Sequence, residues 1–81
     1  MDLQHLKEAN KIVGMKQTRR AIANGEVVRV YLAKDADGKV KNPILELCHQ
    51  ANLEVIFVDS MKELGAACGI EVGAASVAII K

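Results

Sequence analysis

Residues 27–58 read VVRVYLAKDADGKVKNPILELCHQANLEVIFV, and this stretch decides the fold. VVRVYLA (27–33) is an apolar, β-branched run of strand length that ends in the turn-rich KDADGKVKN. Asn42-Pro43 then has the form of a helix start, with Asn as cap and proline at the first helical position. Ile44, Leu47, Cys48 and Ala51 follow at i, i+3, i+4 and i+7, which makes one apolar stripe. EVIFV (54–58) is a second strand. Strands alternating with helices argue for α/β architecture with largely parallel pairing.

The alternation continues on both sides. Ser60 and Glu63 have capping-box spacing at the head of a helix whose inner stripe is Met61, Leu64 and Cys68 and whose stop is Gly69. The loop IEVGAA leads from there to a last strand, SVAII (76–80). Toward the N-terminus, Asp2 can cap a short helix carrying Leu3, Leu6 and Ala9, and Ile12-Val13 is briefly extended. A further helix follows Gly14 and stops at Asn24-Gly25, with Gly25 suited to a left-handed position. The strands are nearly continuous apolar runs, so both sheet faces should be covered. The expected fold is a three-layer α/β/α sandwich around a small mixed sheet, with residues 1–81 forming a single domain.

The composition restricts what this domain can do. Hydrophobic residues make up 51% and charged residues 26%, which suits a packed core, but Tyr31 and Phe57 are its only aromatics. No apolar run reaches the length of a membrane span, and MDLQHLKEANK is too polar for a signal peptide, so a cytosolic protein without a membrane partner is expected. Cys48 and Cys68 lie far apart in apolar helical patterns and read as small buried hydrophobes rather than metal ligands. His5 and His49 are isolated, and no nucleophile–base pairing is visible, so neither an enzyme nor a cofactor is expected.

The net charge of +1 conceals an asymmetry. Residues 1–41 carry nine Lys/Arg against five acids, whereas residues 42–81 carry two against five. Much of the excess lies in GMKQTRRAIANG (14–25). At about 100° per residue, Lys16, Gln17 and Arg20 share one helix face, while Met15, Thr18, Ala21 and Ile22 lie roughly opposite. Arg19 flanks the packing stripe. The cations stand in the first turns, where they oppose the helix dipole unless an anion is bound. A helix N-terminus also offers free N–H groups, and Gly14 permits close approach of the backbone. Lys and Arg donate to guanine edges, and Gln both donates and accepts, so the face suits nucleic acid. With so few aromatics to stack single-stranded bases, the face would have to read a shaped, structured RNA or a groove by side-chain hydrogen bonds and phosphate contacts. Ile70 and Val72 fall outside any stripe, so IEVGA is either an apolar loop on which a splayed base can rest or the cover of a core edge.

These residues resemble those of the kink-turn-binding ribosomal proteins, the L-seven-Ae and L-thirty-e superfamily, which also includes small nucleolar ribonucleoprotein and selenocysteine-insertion RNA binders. The likeness rests on Gly14-Met15-Lys16-Gln17-Thr18-x-Arg20, VVRVYLAKDAD and ELGAACGIEVGAASVAII, and runs from Ile12 to Ile80. It implies an α/β/α sandwich that binds a sharply bent RNA carrying tandem sheared G·A pairs and a bulge. By that resemblance, the segment Gly14, Met15, Lys16, Gln17 and Arg20 would meet the G·A pairs and nearby phosphates. Ile70, Glu71, Val72, Gly73 and Ala74 would pack against the bulge, and Asp37 and Val40 would lie near the flipped base. Many members carry Asn-Glu where this chain has Lys16-Gln17, which implies more phosphate-driven, salt-sensitive binding. The implied partner is a kink-turn in a ribosomal RNA or a riboswitch, bound by a monomer within a ribosome or ribonucleoprotein. The alternatives are a protein-interaction module with incidental RNA contact, and a small enzyme on the same scaffold.

Overall fold

In the computed structural model, residues 4–81 are described, with side chains from Leu6 onward. Four strands form one sheet: β1 (Lys11–Val13), β2 (Val27–Ala33), β3 (Glu54–Val58) and β4 (Ser76–Ile80). Their spatial order is β1-β4-β2-β3. β4 runs antiparallel to both β1 and β2, and only β2–β3 is parallel. The sheet is therefore mixed as expected, but its pairing is not largely parallel. The last strand inserts between β1 and β2, and a strand-order reversal of this kind has no signal in local periodicity.

Three helices cover the sheet: α1 (Met15–Ala23), α2 (Gly38–Gln50) and α3 (Met61–Ala67). On one face, Ala21 and Ile22 of α1 and Ile44 and Cys48 of α2 pack on Val30, Leu32 and Ala78. On the other, Leu64 and Cys68 from α3 and its C-cap join Leu6 against Tyr31, Ala33, Val58 and Val77. Alternate residues of one strand thus enter opposite cores, which explains the unbroken apolar runs. Burying a Leu or Ile side chain in such a core contributes about 1.5–3 kcal/mol, so these two clusters are the main source of stability.

Several element ends follow local chemistry. α1 stops at Gly25 (φ 72), where Gly25 N–H donates to the Ile22 carbonyl and Glu26 N–H to that of Ala21. Gly69 (φ 80) ends α3 by the same pattern of bonds, to Ala66 and, through Ile70, to Gly65. Ser60 accepts from Glu63 N–H at 3.0 Å, as its capping position requires.

Three expectations need correction. α2 starts at Gly38, not at Asn42-Pro43: the Asp37 carboxylate accepts from Lys39 N–H at 2.9 Å, and Pro43 lies inside the helix. Asp37 caps well enough to add a turn ahead of the proline, whose missing N–H leaves just one intrahelical bond unmade. The first segment is a 3-10 turn over Gln4–Lys7, and the proposed cap and first apolar position, Asp2 and Leu3, lie outside the described residues. Met61 is exposed instead of sharing the inner stripe with Leu64 and Cys68, because it opens the helix at the rim of the sheet.

Candidate nucleic-acid interface

The strand directions bring distant segments to one end of the sheet. Val13 pairs with Val77, Leu32 with Ser76, and Ala33 with Val58. The C-terminal ends of β1, β2 and β3 and the start of β4 therefore share an edge, and all three helices begin there. Gly14 N–H donates to the Ser76 carbonyl at 3.3 Å, which ties the head of α1 to the strand that the 70–75 loop enters. Ala33 N–H donates to the Ala75 carbonyl at 3.0 Å and closes the same loop onto β2. Segments more than fifty residues apart in the chain become neighbours in this way.

The three helix heads differ. Ser60 caps α3 and Asp37 caps α2, each with a side-chain oxygen, whereas α1 has no side-chain cap bond at all. In addition, Met61 N–H donates to Asp35 Oδ1 at 2.8 Å, so the 34–37 turn is fastened to α3. Gly14 occupies the cap position of α1 with φ 118 and ψ 148, a conformation essentially closed to residues with a Cβ. A Cβ there would also lie 2.8 Å from Gln17 Oε1, since the glutamine side chain folds back over the glycine. The α1 head thus leaves its first-turn N–H groups without a side-chain acceptor, whereas each of the other two heads has at least one such group satisfied.

The wheel is reproduced in the side chains of α1. Lys16, Gln17 and Arg20 are exposed, Thr18, Ala21 and Ile22 are buried, and Met15 is partly buried against the α1–α2 core. Arg20 falls in the last turn of this nine-residue helix, where it complements the dipole, so among these cations Lys16 is the one standing against it. Among the described residues the ion pairs are Arg29–Glu54 at 2.6 Å and Lys34–Asp59 at 3.1 Å, so the α1 cations have no carboxylate partner.

The late loop divides by burial. Val72 is 70% exposed and Glu71 and Gly73 are exposed, whereas Ile70 is partly packed and Ala74 is buried in the core under α3. Ala74 N–H donates to the Met61 carbonyl at 3.0 Å, so the loop is pinned beside an apolar tip. Val40 is partly buried in the first turn of α2, next to the cap residue Asp37. Cys48 and Cys68 are buried, and desolvation pushes both thiols up from their ordinary range. No group of three metal-ligating side chains occurs among the described residues, and no helix there is long and apolar enough to cross a membrane.

Three residues matter here beyond the candidate site residues named from the sequence. Arg19 lines a groove with α2, and its position beside the packing stripe was the available signal. Gly65 lies in the middle of α3 facing the loop backbone, and an isolated glycine within a helical pattern is itself a mark of close packing. Asp35 fastens the turn to α3 across 26 residues of sequence, and no local pattern reports such a bond.

Residues 2–81 match the ribosomal protein L7Ae/L30e/S12e/Gadd45 family. The RNA-binding protein YbxF of Geobacillus stearothermophilus is 46% identical over 82 residues, covering 100% of both chains. An RNA-binding protein of Caldanaerobacter subterraneus subsp. tengcongensis is 47% identical over 84% of this chain and 83% of its own. Among solved structures, a protein of unknown function from Bacillus halodurans superposes with a TM-score of 0.90 at 26% identity, covering 98% of this chain and 83% of that one. A 15.5 kD RNA-binding protein of Giardia lamblia shares the fold, with a TM-score of 0.86 at 23% identity over 98% of this chain and 68% of that one.

Proposed function

The chain belongs to the ribosomal protein L7Ae/L30e/S12e/Gadd45 family, and from that premise we propose that residues 1–81 act as a single domain that binds kink-turn RNA and holds it bent. One observation carries the reading: the head of α1, with no side-chain cap bond and with Lys16 unpaired, lies at the same end of the sheet as the exposed tip of the 70–75 loop. The RNA-binding relatives and the resemblance of Gly14–Arg20 to the family motif support the same partner class.

On this reading, Lys16, Gln17 and Arg20 enter the groove at the sheared G·A pairs, where their donors and acceptors meet base edges and phosphates. Met15 anchors the helix from its packed side. Gly14 lets the RNA backbone approach the first-turn N–H groups. Val72 provides the apolar rest for a bulged base, and Glu71 and Gly73 border it, with Ile70 and Ala74 fixing the loop to the core. Asp37 and Val40 flank the same end, Asp37 with one carboxylate oxygen committed to its helix cap. A protein that binds the bent RNA better than the extended form shifts the population toward the bend, and no catalytic residue or cofactor takes part. The setting proposed is a cytosolic ribosome or ribonucleoprotein, with a ribosomal RNA or riboswitch as the bearer and the protein as a monomer.

Titration of the protein against a kink-turn duplex and a G·A-disrupted control tests this directly. Preference for the kink-turn is the expected result, and equal affinity for both refutes the reading. Replacing Arg20 with Ala should weaken binding by about 1–3 kcal/mol if it holds a base edge in two bonds.

A further inference from the structure

We infer that the groove between α1 and α2 is a track for the phosphodiester backbone of an RNA stem, with Arg19 as its central contact and Glu46 at its far limit. The inference rests on the RNA reading above and extends it along a surface that the G·A-facing residues do not cover. Lys16, Arg19 and Arg20 line a depression of about 370 Å³ whose remaining walls are Ala23 and Leu47. Arg19 and Leu47 also border a second depression of about 190 Å³, closed on the α2 side by Glu46 and Gln50. The two depressions therefore adjoin along the α1–α2 seam, and Arg19 and Leu47 stand between them.

The chemistry of the groove is one-sided. α1 (MKQTRRAIA) contains no acid, and Lys16, Arg19 and Arg20 form no ion pair among the described residues. Like charges three and four residues apart on a helix repel, and a polyanion lying along them relieves that repulsion. The apolar floor of Ala23 and Leu47 lets the arginine stems lie flat while their guanidinium groups stay at the rim. Lys16 belongs both to the groove and to the α1 head, so a strand engaged at the head continues into the groove without a break. From Lys16 to Ala23 the helix rises about 10 Å, long enough to lie beside more than one phosphate of a strand. Glu46 opposes the track from the α2 wall and sets where it ends.

Contacts of this kind carry charge but no sequence information. The test is titration of the full chain, as wild type, R19Q and E46Q, over a series of KCl concentrations. The probes are a long-stemmed kink-turn duplex, the same duplex with its G·A pairs replaced by Watson–Crick pairs, and the kink-turn with both stems trimmed. R19Q should weaken binding to both long-stemmed RNAs by the same factor, about tenfold, and lower the salt slope by about 0.9. E46Q should tighten both, a gain that misfolding cannot mimic, and trimming the stems should abolish both effects. Unchanged affinity and slope for R19Q overturns the proposal and leaves the groove to a protein partner. A loss confined to the kink-turn also overturns it, because Arg19 would then be reading the bend. Equal wild-type binding to the two long-stemmed RNAs with an R19Q loss on both refutes the kink-turn reading and leaves the track standing.

Discussion

Replacing Gly65 with Ala tests whether the loop that carries Val72 is held in place by close backbone packing. A Cβ at Gly65 would lie 2.0 Å from the Val72 carbonyl oxygen, 3.0 Å from its carbon and 3.1 Å from Gly73 Cα, all of them main-chain atoms. Ordinary contact needs a separation of about 3.4 Å or more, so the loop must withdraw by more than about 1 Å. Two hydrogen bonds resist that movement, from Ala74 N–H to Met61 and from Ala33 N–H to Ala75, each at 3.0 Å. Gly73 leaves no slack either, since its own added Cβ would lie 3.2 Å from Met61 Cβ. Overpacking costs about 1–3 kcal/mol and a lost hydrogen bond about 1 kcal/mol. Alanine returns up to about 1 kcal/mol of helix propensity. The net expectation is a loss of about 1–3 kcal/mol, read from the urea midpoint by circular dichroism at constant m.

The same variant separates packing from recognition. If Val72 rests against a bulged base, moving it by more than about 1 Å should weaken kink-turn binding beyond anything attributable to the unfolded fraction. Ala66→Gly, on the exposed side of α3, is the control: it should cost about 1 kcal/mol of propensity and leave RNA affinity unchanged. A Gly65→Ala protein as stable as wild type refutes the packing argument. A destabilised variant with full affinity in the folded fraction removes the 70–74 loop from the proposed interface.

Asp37 offers a comparable separation: Asp37→Ala should destabilise α2 by about 1 kcal/mol through loss of the cap, whereas Asp37→Asn should be nearly neutral in thermal melts. If Asp37 acts only as a cap, the Asn variant should also bind kink-turn RNA with wild-type affinity, and a change in affinity without a change in melting would give its carboxylate a place at the RNA. For Cys48 and Cys68, burial and raised thiol pKa values predict slow reaction with a thiol reagent in the native state at neutral pH. Both should react together on unfolding in urea, and rapid labelling of either in the native protein would contradict the packing described.

What was legible in the sequence is what local periodicity and end chemistry determine. VVRVYLA, EVIFV and SVAII are strands over their expected residues, and Gly25 and Gly69 stop their helices because those positions need a positive φ. The wheel separated Lys16, Gln17 and Arg20 from Ala21 and Ile22 because a nine-residue helix on a sheet has one buried side. The start of α2 is not legible because two capping signals compete between residues 37 and 43, and Asp37, five residues ahead of Asn42, wins the longer helix. The strand pairing is hidden for a different reason. Nothing in SVAII states that its partners are Lys11–Val13 on one side and Val27–Leu32 on the other.

That illegible insertion is what assembles the proposed site. Were β4 an outer strand, parallel to β2, its first residues would lie at the opposite end of the sheet from Gly14, and the loop before it could not reach the α1 head. Antiparallel placement between β1 and β2 instead puts Ser76 opposite Leu32 and within hydrogen-bonding distance of Gly14. The cationic helix and the apolar loop are each ordinary as sequence features. The two-point grip on a bent RNA proposed above depends on one strand's position, so a register slip in β4 should abolish RNA binding in a titration while leaving each proposed recognition residue unchanged.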